Sequence, residues 1–319
     1  MRAIESASAV AVLGTFALLQ GCAPGSQALL TPAASSAGAT HVVRAVDRAK
    51  PAHVSYVRAL YVVDPFSNTV KILTDVYYRE LGAITNGLDG TQNLTMDGVG
   101  NLYAANYFGR TITEYAPGAT SPSFTYSAGM GDPSTVAVDR HGNVYEADAA
   151  GYINQYFQGL DSVTQSCSTS PGYPVGIAVD SNDDVFAAVA SGSVTVIDEY
   201  KGGLSGCAAV PLGVSFPEDL PGRLAVDKNN NLIYSDGDGG AVDVIDPPYA
   251  SITRTIGSGF SHPGGVSLNK TNKLVFVADE NNNTVTVVNY QTGANVTVLG
   301  AEHGITAAWG VVDGPNAVY

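Results

Sequence analysis

The chain has 319 residues, a formal net charge of −14 and a sequence pI near 4.5. So acidic a protein is a poor partner for nucleic acid, because nucleic-acid binding depends on Lys and Arg side chains that neutralise phosphates. We therefore predict no nucleic-acid partner. The 36 glycines exceed the usual share of about 7% without any Gly-X-Y period, which indicates many turns.

Residues 1–21 have the organisation of an export signal. Arg2 lies in a short N-terminal region, and Ala7 to Leu19 form an apolar stretch of 13 residues. This stretch is too short to span a bilayer, which takes about 20 residues. It ends in Leu19-Gln20-Gly21-Cys22, which resembles the bacterial lipobox: an apolar residue at −3 and a small residue at −1 before the cysteine. The alternative interpretation is an ordinary secretory signal with a chance cysteine.

The lipobox resemblance implies that residues 1–21 are a lipoprotein signal peptide and that Cys22 is acylated, by palmitate among other fatty acids. Ala23 stands where lipoproteins retained in the inner membrane have Asp, so the resemblance implies export to the outer membrane. The protein would face the periplasm or the cell surface there. The membrane would be a partner of the protein through this lipid anchor. Several acyl chains hold a protein firmly at a membrane, whereas a single chain binds only marginally.

Residues 22–55 are rich in Ala, Ser, Thr and Pro and show no clear period, which predicts a linker. The second half of this segment is basic. From residue 59 onward the chain carries 10 Lys and Arg residues against 27 Asp and Glu residues. The folded body is therefore more acidic than the whole chain.

An internal repeat dominates residues 56–319. Each unit is anchored on an Asp or Asn that ends a short apolar strand and precedes a polar turn and a second strand. The anchors are spaced 41–47 residues apart and are Asp97, Asp139, Asp180, Asp227, Asn269 and Asp313. Short alternating strands with frequent turns predict all-β structure. Four strands per unit of about 40 residues predict the blade of a β-propeller.

The segments STVAVDRHGNVYEAD (134–148) and GIAVDSNDDVFAAV (176–189) resemble the NHL repeat, and the Trp-Asp pair of WD40 blades is absent. The resemblance covers roughly residues 59–319 and implies a six-bladed propeller with four-stranded blades.

The two ends of the repeat region complement each other. The strand WGVVD (309–313) has no third strand after it, whereas ALYVVDPFSNTVKIL (59–73) has no first strand before it. We predict that the C-terminal strand completes the N-terminal blade, because this closes the ring and covers sheet edges that would otherwise be exposed.

Two series of acidic or amide residues recur once per blade, which predicts a role in the scaffold rather than in catalysis. Asp and Asn at strand ends hydrogen-bond the backbone of the following turn. The sequence Asp236-Gly-Asp238-Gly lacks the spaced ligands and terminal Glu of a calcium-binding EF-hand loop. We therefore predict no metal and no other cofactor. The first series is that of the anchors, and the second is Asp64, Asn106, Asp148, Asp236 and Asp279.

The loops before the first strands edge the channel mouth in NHL propellers, and in this chain they hold unusual side chains. Trp309 is the only Trp, and Arg223 replaces a small residue at its position in the blade. An aromatic face beside charged groups can orient a small ligand. We predict a ligand site at Tyr173, Arg223, His262, Glu302 and Trp309. The alternative is that His262 and Trp309 only fill the loops and the closure region.

Acylation of Cys22 would leave Cys167 and Cys207 as a pair in an oxidising compartment, which favours a disulfide. Geometry argues against it, because the two cysteines occupy nearly equivalent sites in neighbouring blades. Outer strands of neighbouring blades lie roughly 20 Å apart, whereas a disulfide needs a Cα–Cα distance of about 4.4–6.8 Å. The sequence leaves this bond open.

Two functions of different classes remain. The first is a non-enzymatic, exported scaffold that binds a protein, a glycan or a small molecule. The alternative is a hydrolase or lyase, lactonase-like, acting at the channel mouth. Related six-bladed lactonases carry a metal-binding Glu in an E-G-P context, which this chain lacks, and it has no G-x-S-x-G motif. These absences favour binding, although a fold does not fix a function.

Overall fold

The computed structural model describes residues 55–217 and 222–318. Among these residues it forms 24 strands and two short 3-10 turns, Ser205–Cys207 and Ala301–His303. Within the same residues, no helix has the length and apolar character needed to cross a bilayer. The predicted signal peptide, Cys22 and residues 23–54 of the predicted linker lie outside the described residues.

The strands follow one another with short connections. They are β1 (Ser55–Asp64), β2 (Thr69–Thr74), β3 (Glu80–Ile84), β4 (Thr91–Met96), β5 (Leu102–Asn106), β6 (Thr111–Tyr115), β7 (Phe124–Tyr126), β8 (Pro133–Val138), β9 (Val144–Asp148), β10 (Tyr152–Tyr156), β11 (Val163–Ser168), β12 (Tyr173–Val179), β13 (Val185–Ser191), β14 (Val194–Tyr200), β15 (Ala209–Phe216), β16 (Leu224–Val226), β17 (Leu232–Asp236), β18 (Ala241–Ile245), β19 (Arg254–Ile256), β20 (Pro263–Leu268), β21 (Leu274–Asp279), β22 (Thr284–Asn289), β23 (Asn295–Leu299) and β24 (Val311–Val318).

The described strands pair into six antiparallel sheets of four strands each. Blade 1 has the order β24-β1-β2-β3, and blades 2 to 6 are β4–β7, β8–β11, β12–β15, β16–β19 and β20–β23. The first strands of neighbouring blades contact one another in a closed cycle, from β4 through β8, β12, β16 and β20 to β24 and back to β4. They are therefore the innermost strands of a ring. The predicted all-β, six-bladed propeller is confirmed.

The ring is closed by the C-terminal strand. β24 pairs antiparallel with β1, from Val62 opposite Val311 to Ser55 opposite Val318. Residues after the anchor Asp313 continue this strand and do not start another one. The N-terminal blade thus takes its innermost strand from the other end of the chain, as the sequence predicted.

The core lies between the blades, and both faces of each sheet are covered. All five residues of β5 are buried. Because side chains alternate across a strand, Tyr103 packs with Val136 and Tyr156 of blade 3. Ala104 packs on the other face with Val63 of blade 1. This two-sided burial explains why the second strands are nearly continuous in small apolar and aromatic residues.

The anchor carboxylates hold the turns between the innermost and second strands. One oxygen of Asp97 accepts hydrogen bonds from the backbone amides of Val99, Gly100 and Asn101 at 2.8–3.0 Å. Its other oxygen accepts from the Asn101 side chain at 2.8 Å. The same arrangement recurs at Asp139, Asp180 and Asp227.

Members of the second series tie their blades to the loops that enter them. Asp148 accepts from the backbone amides of Gly131 and Asp132 at 2.6 and 2.9 Å. Asp279 does the same with Ser261 and His262, at 2.9 and 3.1 Å. Both repeated series are therefore part of the scaffold, as predicted.

Candidate functional site

The disc has two different faces. The turn face carries the turns between the innermost and second strands, where the anchor residues lie. The bulge face carries the connections from each outermost strand to the next innermost strand. Near this face the innermost strands contain a bulge: the pairing with the second strand skips Gln92 in β4, Ser134 in β8 and Val175 in β12. Such a bulge re-aims one side chain out of the ladder.

A side-chain hydrogen bond crosses the channel at the bulge face. Arg223 lies just before β16 of blade 5, and Gln92 is the bulge residue of blade 2. These blades stand opposite each other in a ring of six. Nη2 of Arg223 donates to Oε1 of Gln92 at 3.4 Å, and Arg223 is only 7% exposed. The predicted ligand-facing arginine instead spans the channel axis.

Glu280, in the turn after β21 of blade 6, supplies the negative charge near this arginine. Burial lowers the pKa of Arg223, and the Glu280 carboxylate raises it. Burial likewise raises the pKa of Glu280, while Arg223 and then His262 lower it. Nε2 of His262 lies 3.8 Å from Oε2 of Glu280, with both side chains no more than 15% exposed. Glu280 therefore lies beside two of the predicted site residues and is the counter-charge of Arg223.

Trp309 lies at the junction of blades 6 and 1. Its backbone amide donates to the carbonyl of Val63 at 3.2 Å, and its carbonyl accepts from the amide of Gly265 at 2.8 Å. Its ring meets Phe66 edge-on, with centroids 5.7 Å apart. Trp309 thus braces the approach to the closing strand β24.

Glu302 and Tyr173 lie apart from the Arg223 cluster. Glu302 sits in the 3-10 turn after the outermost strand of blade 6, and Oε1 lies 2.9 Å from Nδ1 of His303. Hydrogen bonds from the backbone amides of Glu302 and Gly300 lower the pKa of this exposed carboxyl group. Tyr173 begins β12 and is 39% exposed. Of the five predicted residues, the structure brings together Arg223 and His262, both around Glu280.

A cavity of about 600 Å³ occupies the channel and reaches the turn face. Its walls are the C-terminal halves of the innermost strands, including Ala178 and Ala225, and its rim is formed by the anchor turns. None of the five predicted site residues lines it. The inner edge of each innermost strand has no strand partner among the described residues, so its peptide groups face the cavity. Its rim includes Asp97, Asp180, Asp227, Lys228, Asn269 and Lys270.

A second cavity, of about 660 Å³, adjoins the first between blades 5 and 6. Both cavities are lined by Asp227, Lys228 and Asn272. Most of the residues that it adds have polar or charged side chains: Asn229, Asn231, Arg254, Thr271, Lys273, Asn289, Tyr290 and Gln291. Sequence reasoning missed this region because its residues belong to turns, where polar side chains are expected in any blade.

Cys167 and Cys207 form a disulfide, with sulfurs 2.10 Å apart and a Cα–Cα distance of 5.3 Å. Cys167 is buried in the outermost strand of blade 3, whereas Cys207 ends the 3-10 turn between the third and outermost strands of blade 4. The two sites are therefore not equivalent. The 3-10 turn of blade 4 folds onto β11 of blade 3, so Cys207 reaches Cys167 although the outermost strands of the two blades lie farther apart.

Within residues 55–217 and 222–318, no three His, Cys, Asp or Glu side chains lie together in a way that could hold a metal ion.

Comparison with known proteins gives the fold and no family. No family model and no curated protein matches the sequence. Among solved structures, a chain of the nidogen/laminin complex superposes with a TM-score of 0.66 at 15% identity, over 81% of this chain and 98% of that one. A protein of unknown function from Bacteroides caccae gives a TM-score of 0.63 at 11% identity, over 81% and 99%. At these identities the likeness shows the propeller fold alone.

Proposed function

We propose that this propeller is a non-enzymatic binding scaffold whose ligand occupies the turn face, and that a lipid on Cys22 holds it at a membrane. The observation that carries the proposal is the difference between the two faces. Arg223 and Gln92 close the channel towards the bulge face, whereas both described cavities open at the turn face.

The side chains at the turn face favour binding over catalysis. The anchor carboxylates that line the channel cavity already accept hydrogen bonds from their own turns, as at Asp97 and Asp180. A carboxylate committed in this way is poorly placed to act as a general base, which must reach the proton that it removes. The cavity volumes fall within the range of about 300–1,000 Å³ that is usual for ligand pockets.

A matched pair of face-blocking variants tests the choice of face. Gly98 lines the channel cavity, and a Cβ added there would meet no atom within 4 Å, so Gly98→Trp should obstruct the turn face without strain. Asn281, exposed beside Glu280, allows Asn281→Trp to crowd the bulge face. Purified residues 23–319 and both variants are screened by calorimetry against neutral oligosaccharides, acidic oligosaccharides and peptides.

We expect the compounds that bind wild type to bind Asn281→Trp equally, and those that occupy the channel cavity to lose binding to Gly98→Trp. Loss in Asn281→Trp alone would instead assign binding to the residues first predicted, Arg223 and His262 among them. Absence of any binder to wild type, or turnover of a bound compound, would count against a binding scaffold.

The lipid anchor is tested separately, by fractionation of cells that express wild type or Cys22→Ser. Loss of the thiol removes the acylation site, so the variant is expected in the soluble exported fraction. A Ser26→Ala variant, in the same predicted linker, controls for an unrelated change close to Cys22. Retention of Cys22→Ser in the membrane at the wild-type level would exclude the anchor.

A further inference from the structure

The cationic side chains of this acidic body fall into two groups. Four of them lie 2.8–3.9 Å from a carboxylate oxygen: Lys71, Arg110, Arg140 and Lys201. Arg58 pairs with Asp313, and Arg223 is buried beside Glu280. Apart from Arg223, the described cations with no carboxylate oxygen within 4 Å form the second group: Arg79, Lys228, Arg254, Lys270 and Lys273.

Four of these five cations are concentrated in one place, whereas Arg79 lies over the Tyr77 ring in the β2–β3 turn of blade 1. All four residues line the two adjoining cavities on the turn face of blades 5 and 6, and Lys228 lines both. Chance placement would scatter unpaired cations over a body with net negative charge, where carboxylates are abundant. The carboxylate that lines both cavities, Asp227, is engaged by its own turn and by the Tyr290 hydroxyl and lies more than 4 Å from these cations. Cations gathered around a cavity without a carboxylate in ion-pair contact mark a site for an anion.

Contacts with Tyr290 fix the side chain of Arg254 in position. Its guanidinium lies 4.3 Å from the centre of the Tyr290 ring and donates to the Tyr290 carbonyl. The hydroxyl of Tyr290 in turn donates to Oδ2 of Asp227 at 3.0 Å. Burial raises the pKa of Tyr290 to about 12, with the Asp227 charge adding to the effect, so this hydroxyl keeps its proton and its hydrogen bond at neutral pH. Such preorganisation lowers the entropic cost of binding.

The other lining groups narrow the ligand class. The side-chain amides of Asn272 and Asn289 accept hydrogen bonds from backbone amides, and their Nδ2 groups donate to no described residue. Free amide donors beside separated cations suit a ligand that alternates hydroxyl groups with carboxylates. We propose that the second cavity, between blades 5 and 6, binds an acidic oligosaccharide. Lys228, Lys273 and Arg254 would bind the carboxylates of the sugar, and the two side-chain amides would bind its hydroxyl groups. This rests on the proposed function.

Calorimetry with trigalacturonate and galactotriose tests the proposal on purified residues 23–319. These two sugars share a hydroxyl pattern and differ in their carboxylates. We expect binding of trigalacturonate only, weakened as ionic strength rises from about 0.05 M to about 0.5 M, because exposed charge interactions are screened by salt. Lys228→Ala and Lys273→Ala should each weaken binding about tenfold, the usual cost of one lost charged hydrogen bond.

Lys201→Ala is the matched control. Lys201 lies on the same face in blade 4, is 73% exposed, and already has Glu199 at 3.6 Å. It changes the net charge by the same amount and should leave affinity unchanged. If Lys201→Ala weakened trigalacturonate binding as much as the other two lysine variants, the effect would come from the net charge of the protein, and the proposed site would be overturned.

Two further probes separate acidic sugars from other anions. Hexaglutamate carries carboxylates without sugar hydroxyls, and vesicles with phosphatidylglycerol present a lipid surface. Binding of either as tightly as trigalacturonate would overturn the sugar assignment. Binding of galactotriose that is lost in Gly98→Trp and unaffected by the lysine changes would overturn the inference and leave the scaffold standing. Failure of every probe would overturn the inference, and the wider screen would then decide the scaffold.

Discussion

Arg223 and Gln92 lie 131 residues apart in sequence and meet across the centre of the ring, each contributed by one of two opposite blades. Neighbouring blades are joined through their packed faces, whereas opposite blades face each other only across the channel. The contact therefore couples two halves of the ring that the apolar core does not connect. Because Arg223 also lies near Glu280, the contact across the channel combines a hydrogen bond to Gln92 with an electrostatic attraction to a buried carboxylate.

We predict that Arg223→Ala destabilises the fold by about 2–4 kcal/mol, because it leaves the Glu280 carboxylate buried without its guanidinium partner. Equilibrium denaturation with urea measures this change. Arg223→Ala combined with Glu280→Gln should recover at least about 1 kcal/mol relative to the single variant, since the unpaired charge is then gone. A fully additive double variant would contradict the proposed pairing.

A second prediction concerns Glu146, which is completely buried in β9. Burial raises its pKa well above the ordinary value of 4.5, the neighbouring Asp148 raises it further, and a hydrogen bond from Asn154 lowers it. Below pH 4.5 the folded and unfolded chains both hold this proton. As pH rises above 4.5, the unfolded chain releases it first, so the fold loses stability until pH passes the raised pKa.

Glu146→Gln removes this titration. We expect the unfolding free energy of the variant to rise relative to that of wild type from pH 4.5 upward. The total rise is about 1.4 kcal/mol for each unit by which the pKa of Glu146 in the folded protein exceeds 4.5. The check is the difference in unfolding free energy between the two proteins across pH 4 to 8. Glu80→Gln, at a half-exposed site, controls for loss of a negative charge. A difference that does not change with pH would show that Glu146 is not the group responsible.

The architecture was predictable because each blade repeats the same local chemistry. An anchor such as Asp97 or Asp139 must satisfy the amides of its own turn, so the residue recurs wherever the turn recurs. The closing strand was predictable by elimination, since WGVVD lacked a third strand and ALYVVD lacked a first. Local rules and the need to cover sheet edges were therefore enough for the fold.

The site was less predictable because it depends on which side chains meet across the ring. Arg223 stood out as an exception to the repeat, but nothing in the sequence marks Gln92 as its partner, because the bulge that frees Gln92 is a feature of strand pairing. Lys228 and Lys273 read as ordinary turn residues. That neither lysine has a carboxylate oxygen within 4 Å among the described residues is visible only once the carboxylates have been placed in space.

The disulfide supplies a third prediction. Cys167 and Cys207 are 40 residues apart in sequence, and closing a loop of that size restricts the unfolded chain by about 3–4 kcal/mol. Cys207→Ala should lower the unfolding free energy by that amount, as measured in urea. Cys207 is the residue to change because it is exposed, so no cavity is created. A reducing agent should destabilise wild type equally and leave Cys207→Ala unaffected; an effect on both would point to another cause.

The last prediction concerns the closure of the ring by β24. Its pairing with β1 extends over eight residue pairs, and Val311 and Val312 fill the apolar clusters on the two sides of blade 1. A truncation after Ala308 should therefore abolish cooperative thermal unfolding, since the lost contacts compare with a typical total stability of about 5–15 kcal/mol. Deletion of residues 23–54 is the control and should leave the transition unchanged.

A synthetic peptide of residues 309–319 tests the mechanism. It should bind the truncated protein and restore cooperative unfolding, because the open ring presents a strand edge to which it can pair. A truncated protein that melts cooperatively at the wild-type temperature, without the peptide, would show that the other blades close the ring on their own.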